Sequence, residues 1–321
     1  MTYRKVGADV SKSWIDVAIV VCKQLLFFHF ENSLSGFVEF EQWLIRLKAG
    51  RVHVCMEHTG RYHVALAGWL FAKGHRVSVA SPFAVSRFGE GRMKRSTNDQ
   101  VSAETLLMFL KERKPALWEP LGEAYDELRE LVRYRQNVSK RLAVLRNQLA
   151  SGPLSAFVQE SFAAQISYHE LELERVETRI REHVNSDAEM KESLDLLQSM
   201  CGVRFANGIR LLGEIGPWQR FPSSRTLACY AGYLPCKASS GTLNKRNNRG
   251  AQWGNRHLRE AVSSCVLTVS RREDFKAFYQ RLALRGKEQD ARKARKRKFI
   301  ELVYGVLRSR KPFDEKLAFG P

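Results

Sequence analysis

The chain has 321 residues, enough for two or three domains with cores of their own, and its 44% hydrophobic and 27% charged residues are ordinary for a globular protein. Its charge is not ordinary: +19 at neutral pH with a pI near 9.9, a balance that favours a polyanionic partner, nucleic acid foremost, over an acidic substrate. No segment approaches about 18 uninterrupted apolar residues, which excludes a membrane-spanning helix, and the N-terminus lacks the basic, apolar, small-residue order of a secretion signal.

Taken in chain order, runs at 4–10, 14–21 and 25–31 are short and rich in Val, Ile and Phe, as paired strands are. A helix is predicted from about Gly36 to Leu47, where Phe37, Phe40, Trp43 and Leu44 keep helical spacing. A strand at 51–57, a helix from about Tyr62 to Ala72 and a strand at 75–80 follow. A polar loop then leads to a helix from Asp99 to Arg113. Three meandering strands followed by alternating helices and strands make an α/β domain, assigned to 1–117.

Residues 118–196 read as an antiparallel helical hairpin, a coiled coil, because Leu128, Leu131, Val132, Val138, Leu142, Leu145 and Leu149 recur three or four apart and Gly152-Pro153 breaks the run. A mostly helical, basic domain is expected over 197–321. Net charge follows this division: +7 over 1–117, −5 over 118–198 and +17 over 199–321. The acidic balance of the hairpin points to self-association rather than to a nucleic-acid face. Met200-Cys201-Gly202-Val203-Arg204 before an apolar helix looks like a degraded helix-hairpin-helix, a binder of phosphate backbones, with Arg204 where a second glycine is expected. The basic stretch Arg285–Lys298 reads as a helix along a phosphate backbone. The six cysteines are scattered without a C-x-x-C pair, so no zinc site is expected, and Cys22 and Cys55 read as strand-core residues.

Three acids carry the first chemical signal. Asp9 ends one strand-like run and Glu57 another, and Asp99 opens a helix. If the two strands are parallel neighbours, both carboxylates leave the same edge of the sheet, and oxygen ligands of this kind suit Mg²⁺. A turn or cap role is the plain alternative for each acid alone. The second signal is Ser239-Ser240-Gly241, after the apolar run 227–235 and among Lys237, Lys245, Arg246, Arg249 and Arg256. A serine hydroxyl attacking a phosphate needs such cations around it, and arginine pairs with phosphate bidentately. Arg92, Lys94 and Arg95 before Asp99 are further candidate phosphate contacts.

These features resemble the insertion-sequence transposases and recombinases of the Piv-invertase type. The resemblance rests on Gly7-Ala8-Asp9-Val10-Ser11-Lys12, Met56-Glu57-His58-Thr59-Gly60, Asn98-Asp99-Gln100-Val101-Ser102-Ala103, Ala231-Gly232-Tyr233-Leu234-Pro235 with Ser239-Ser240-Gly241, and Val303-Tyr304-Gly305-Val306-Leu307 with Lys311-Pro312-Phe313-Asp314. It implies a RuvC-like (RNase H fold) DEDD domain, in which Asp9, Glu57 and Asp99 hold Mg²⁺. It further implies a serine transposase domain whose nucleophile is Ser240. Donor and target DNA, a structured guide (bridge) RNA and a homo-oligomer, dimer to tetramer, are the implied partners. The setting implied is the cytoplasm of a bacterium or archaeon, near the nucleoid. One position departs from the pattern: Ser102 stands where the fourth acid belongs, and a hydroxyl brings no negative charge. A variant site, an impaired nucleic-acid-binding copy, and a resolvase-like nuclease in which Ser240 is an ordinary loop residue are the competing readings.

Overall fold

The computed structural model describes residues 3–58, 60–91, 99–233, 254–269 and 288–314, with residues 280 and 284; for Asp99 and 288–290 it describes the backbone alone. Residues 1–120 and 121–321 form two compact units.

The first unit is built on a five-stranded sheet of order β3-β2-β1-β4-β5. Strands β1 (Arg4–Val10), β2 (Trp14–Val21) and β3 (Gln24–Glu31) form an antiparallel meander. Strands β4 (Val52–Glu57) and β5 (Arg76–Ala80) lie parallel to β1. Their order and directions are compatible with the RNase-H-like domain expected. Alternation along the strands sorts the faces. Val6, Ala8, Ile15, Val17, Val54 and Met56 pack on one side against Phe37, Phe40 and Leu44 of α1 (Leu34–Arg46) and Leu66 and Leu70 of α2 (Tyr62–Ala72). The opposite face, with Cys55 and Ala18, is covered by Ala103, Leu106, Leu107 and Leu110 of α4 (Asp99–Arg113).

The expected strands and helices of this unit are present, with two corrections. A helix, α3 (Pro82–Gly91), occupies part of the predicted polar loop and buries Val85 and Phe88, three residues apart on one side. Cys22 is exposed rather than in the strand core: it and Lys23 form the β2–β3 turn at φ 49° and 66°. Two consecutive left-handed residues are what a two-residue hairpin turn requires.

Gly7 decides how closely α4 approaches the sheet. A Cβ there would lie 2.0 Å from the Ala103 carbonyl oxygen and 2.3 Å from the Leu107 nitrogen, both backbone atoms that cannot rotate away. Gly7→Ala is therefore expected to lower the stability of this unit by about 3 kcal/mol, the upper end for an overpacked core. A denaturant midpoint unchanged from wild type would show that α4 does not press on β1.

The second unit begins with the hairpin. Helices α5 (Glu123–Ala150) and α6 (Ala156–Asn185) are joined at 151–155. Their partners run in opposite order, Arg146 with Glu170 at 2.6 Å, Arg135 with Glu177 and Arg179 with Glu127 at 2.7 Å, so the pair is antiparallel. Its base shares a core with the later helices: α7 (Ala188–Gln198), α8 (Phe205–Ile215), α9 (Ser224–Tyr230), α10 (Arg256–Val269) and α11 (Glu288–Ser309). Two of the quoted motifs have structural uses. Val303, Tyr304 and Leu307 are core residues, with the Tyr304 hydroxyl donating to the Phe221 carbonyl at 3.0 Å. The Phe313 N–H donates to Ser199 Oγ at 2.8 Å. In the helix-hairpin-helix-like turn, Gly202 (φ 80°) faces α10: a Cβ would meet a Val269 methyl at 2.5 Å and the Cys265 carbonyl oxygen at 3.1 Å. Helix packing accounts for that glycine.

Candidate active site

The acidic site of the first unit follows from strand register. Ala8 pairs with Met56 across the parallel β1–β4 ladder, so Asp9 and Glu57 are the next residues of adjacent strands and leave the sheet at the same edge. They share a face as well, because Gly7 and Asp9 lie opposite to Val6 and Ala8, and Cys55 and Glu57 opposite to Val54 and Met56. That face is the one α4 crosses. Helix α4 begins at Asp99, one turn before Ala103, whose carbonyl rests over Gly7. Ser102, half-buried, precedes Ala103.

Burial raises the Glu57 carboxyl above its ordinary value, and the negative charge of Asp9 raises it further. A carboxyl whose ionisation a neighbouring acid hinders is one that a cation would relieve. The sign of the pH effect follows. With its folded pKa raised, Glu57 holds its proton longer in the native state, so its contribution to stability declines as pH climbs from the ordinary carboxylate value through the raised one. Asp9→Asn removes one cause and is expected to bring the Glu57 titration downward; carboxyl-labelled NMR of the variant reads this directly, and an unmoved titration would separate the two acids.

The cross-strand register brings in residues the sequence reading did not single out. Asp16 stands opposite Asp9 on β2, and His29 opposite Asp16 on β3. His29 Nδ1 and Asp16 Oδ1 are 2.9 Å apart, and the His29 ring stacks on Trp14 at 4.8 Å. Asn32 donates from one amide to the Ser11 carbonyl at 2.9 Å and the Tyr62 carbonyl at 3.1 Å. It thereby ties the turn after Asp9 to the start of the helix after Glu57. Among the described residues no three His, Cys, Asp or Glu side chains gather into a metal-binding group. The Asp99 side chain lies outside the described residues.

The serine region, in the second unit, is described at its margins. Ser239, Ser240 and Gly241, with Lys237, Lys245, Arg246 and Arg249, lie outside the described residues, as do Arg92, Lys94 and Arg95. The residues bracketing 234–253 are fixed against each other. The Asn255 N–H donates to the Tyr230 carbonyl at 2.8 Å, and a Cβ on Gly254 (φ 120°) would lie 2.6 Å from the Gly232 nitrogen. Close backbone approach of this kind needs glycine.

Behind this junction sits Glu214, 1% exposed. Its carboxylate accepts from Arg133 Nε at 2.7 Å and Nη2 at 2.9 Å, and from Asn255 Nδ2 at 2.7 Å. Asn255 also donates to the Tyr230 hydroxyl at 3.0 Å, and Arg129 Nε donates to the Gly213 carbonyl at 3.0 Å. Burial alone would raise the Glu214 carboxyl, but the Arg133 hydrogen bonds and charge, with Asn255 and Arg129, hold it below its ordinary value. A buried acid thus anchors Asn255 at the start of α10. Arg256, a predicted nucleic-acid contact, follows on α10, where its Nε meets Glu260 at 3.0 Å.

Comparison with known proteins gives two matched regions. Residues 6–154 match the DEDD transposases of the IS110 type, and residues 194–280 match the family described as "Transposase IS116/IS110/IS902 family". The chain is 25% identical over 323 residues to the pilin gene-inverting protein of Moraxella bovis, covering 99% of both chains, and equally to that of Moraxella lacunata. It is 29% identical over 141 residues to an uncharacterised 43.6 kDa protein of insertion element IS110 from Streptomyces coelicolor, covering 43% of this chain and 34% of the relative. The protein therefore carries the two transposase domains of the IS110 family and is a homologue of the pilin gene-inverting proteins.

Proposed function

We propose that the protein is a DNA recombinase of an insertion sequence, guided by a structured RNA, that cuts and rejoins DNA through a covalent Ser240–phosphate link. The observation that carries the reading is the placement of Asp9 and Glu57 at one sheet edge, on the face crossed by the helix that Asp99 opens. Full-length similarity to proteins named for gene inversion supports it.

The donors fit a hard divalent cation, since Asp9 and Glu57 supply oxygen ligands and the charge of Asp9 disfavours that of Glu57. Mg²⁺ held by Asp9, Glu57 and Asp99 would neutralise charge at the scissile phosphate. Ser102 contributes a neutral oxygen in place of the fourth carboxylate. The Ser240 hydroxyl attacks the phosphorus, forming one P–O ester bond as another breaks; the serine proton passes to a base and the departing strand oxygen takes one up. Attack by the hydroxyl of a second strand reverses the step and frees the serine. Lys237, Lys245, Arg246, Arg249 and Arg256 hold phosphate oxygens around the serine, and Arg92, Lys94 and Arg95 do so near the acids. The protein works as an oligomer whose hairpin, a coiled coil, mediates assembly.

The test uses a supercoiled plasmid bearing the DNA that flanks the coding region, incubated with the protein, Mg²⁺ and the flank transcript. Denaturing gels are expected to show DNA strands with protein attached and transcript-dependent rejoining. Free ends without attached protein would favour the resolvase-like nuclease instead.

A further inference from the structure

A hollow of about 700 Å³ opens in the second unit between α5, α8, α10 and α11. Among the described residues its wall carries Arg135 and Lys140 from α5, Arg210 from α8, Arg256 and Arg259 from α10, and Lys296 from α11, against one carboxylate, Glu260. Glu260 is shared among three of these cations: Arg256 Nε at 3.0 Å, Lys140 Nζ at 3.2 Å and Arg210 Nη2 at 4.0 Å. Gln136 Nε2 donates to it as well, at 2.6 Å. Arg135 turns to Glu177 on the neighbouring helix, with its Nε at 2.8 Å. Four helices therefore converge on a basin with more positive charge than its own acids offset, and charges so placed repel unless an anion enters.

Two of the wall cations are partly desolvated. Arg210 is held below its ordinary value by burial, with Glu260 opposing the shift. Lys296 is lowered by burial and then by Arg295 and Arg292. Hydroxyls line the same wall and fix its shape: Ser264 Oγ accepts from Arg210 Nη1 at 3.4 Å and donates to the Glu260 carbonyl at 3.0 Å, and the Tyr233 hydroxyl donates to the Arg259 carbonyl at 3.2 Å. The volume exceeds what one free phosphate needs and lies within the usual range of a ligand site, about 300–1,000 Å³.

We propose that this hollow holds the phosphodiester backbone of a nucleic acid, with Lys140, Arg210 and Lys296 as phosphate contacts. It deepens the recombinase reading and rests on it. It also revises the view of the hairpin as an acidic arm without a nucleic-acid face, since α5 presents two cations to the basin although the region as a whole is acidic.

The test compares the full chain with Lys140→Gln/Lys296→Gln, and with Arg175→Gln as a control for lost charge on a side chain that is 82% exposed on α6. Fluorescence anisotropy of labelled 30-base-pair duplex DNA and of a labelled RNA is read from low to physiological salt, with thermal melting to confirm folding. The double variant is expected to bind at least tenfold more weakly in one arm or both, and its slope of log affinity against log salt is expected to flatten by about 1.8 for duplex DNA, or about 0.9 per lost phosphate contact. The arm that changes identifies the strand held. A double variant indistinguishable from Arg175→Gln in both arms overturns the proposal while leaving the recombinase reading standing. Wild-type protein whose binding to both nucleic acids ignores salt would remove both. Should inorganic pyrophosphate protect the wild type against melting while nucleic-acid binding is unchanged in the variant, the hollow is a small-phosphate site and the assignment fails.

Discussion

Asp9→Asn and Glu57→Gln are each expected to lower DNA strand cleavage about 10²–10³-fold, the loss typical when one pre-organised electrostatic group is removed from a reacting centre. Folding should not suffer. Glu57 is a group whose charged form the native state disfavours, through burial and through Asp9. Making it neutral removes a repulsion, so at neutral pH the Glu57→Gln variant should melt at the wild-type temperature or above it. This combination separates a reaction role from a structural one, because a structural acid gives up stability and activity together. The checks are gel-based cleavage rates and calorimetry on the same preparations. A variant that is inactive because it is unfolded would contradict the assignment of Glu57, as would one that cleaves at the wild-type rate.

Glu214→Gln should act in the opposite way. The residue is buried and pairs with Arg133, Asn255 and Arg129, and removing one partner of such a set strands the others without water. A loss of about 3 kcal/mol is expected, within the range for a broken buried ion pair. Its pH dependence has a definite sign. The folded Glu214 pKa lies below the unfolded value, so the stabilisation is complete above the ordinary carboxylate range and disappears as pH falls through the depressed value. Wild type should therefore lose more stability on acidification than Glu214→Gln does. Parallel denaturation curves of the two proteins across the acid range would show that the network contributes nothing. The variant should also loosen Asn255, seen as faster hydrogen exchange at its N–H, which donates to the Tyr230 carbonyl.

Much of the first unit was legible because its signals are local. The apolar runs of β1 and β4 each end in an acid, and Ile15, Val17 and Ile19 keep the two-residue period that strand burial requires. What local pattern could not give was cross-strand register. Asp16 and His29 meet beside Asp9 only because β2 and β3 pair with a particular offset, and nothing near either residue announces it. Helix α3 falls in the stretch that reads as a polar loop, and it is the packing of Val85 and Phe88 beside α4 that gives it a buried side.

In the second unit Glu214 carried a signal that went unused. It is an acid inside an apolar helix, among Leu211, Leu212 and Ile215, and such a residue must find a cation when it is buried. Its partners Arg133 and Asn255 lie 81 and 41 residues away in the chain, so their identity was out of reach. The cationic hollow was hidden differently. Averaging charge over the hairpin gave an acidic total and obscured the cations that α5 turns toward α8, α10 and α11. The role proposed for Ser240 rests on the resemblance and on the cations around it in sequence.

The most direct measurement is therefore chemical. A suicide DNA substrate, cut by the protein in Mg²⁺ with the flank transcript present, is digested with nuclease and protease, and the peptide that retains a nucleotide is sequenced by mass spectrometry. The account predicts the nucleotide on Ser240, and no such peptide from Ser240→Ala, Asp9→Asn or Glu57→Gln protein. A nucleotide attached to another residue, or efficient cleavage with none attached, would contradict it.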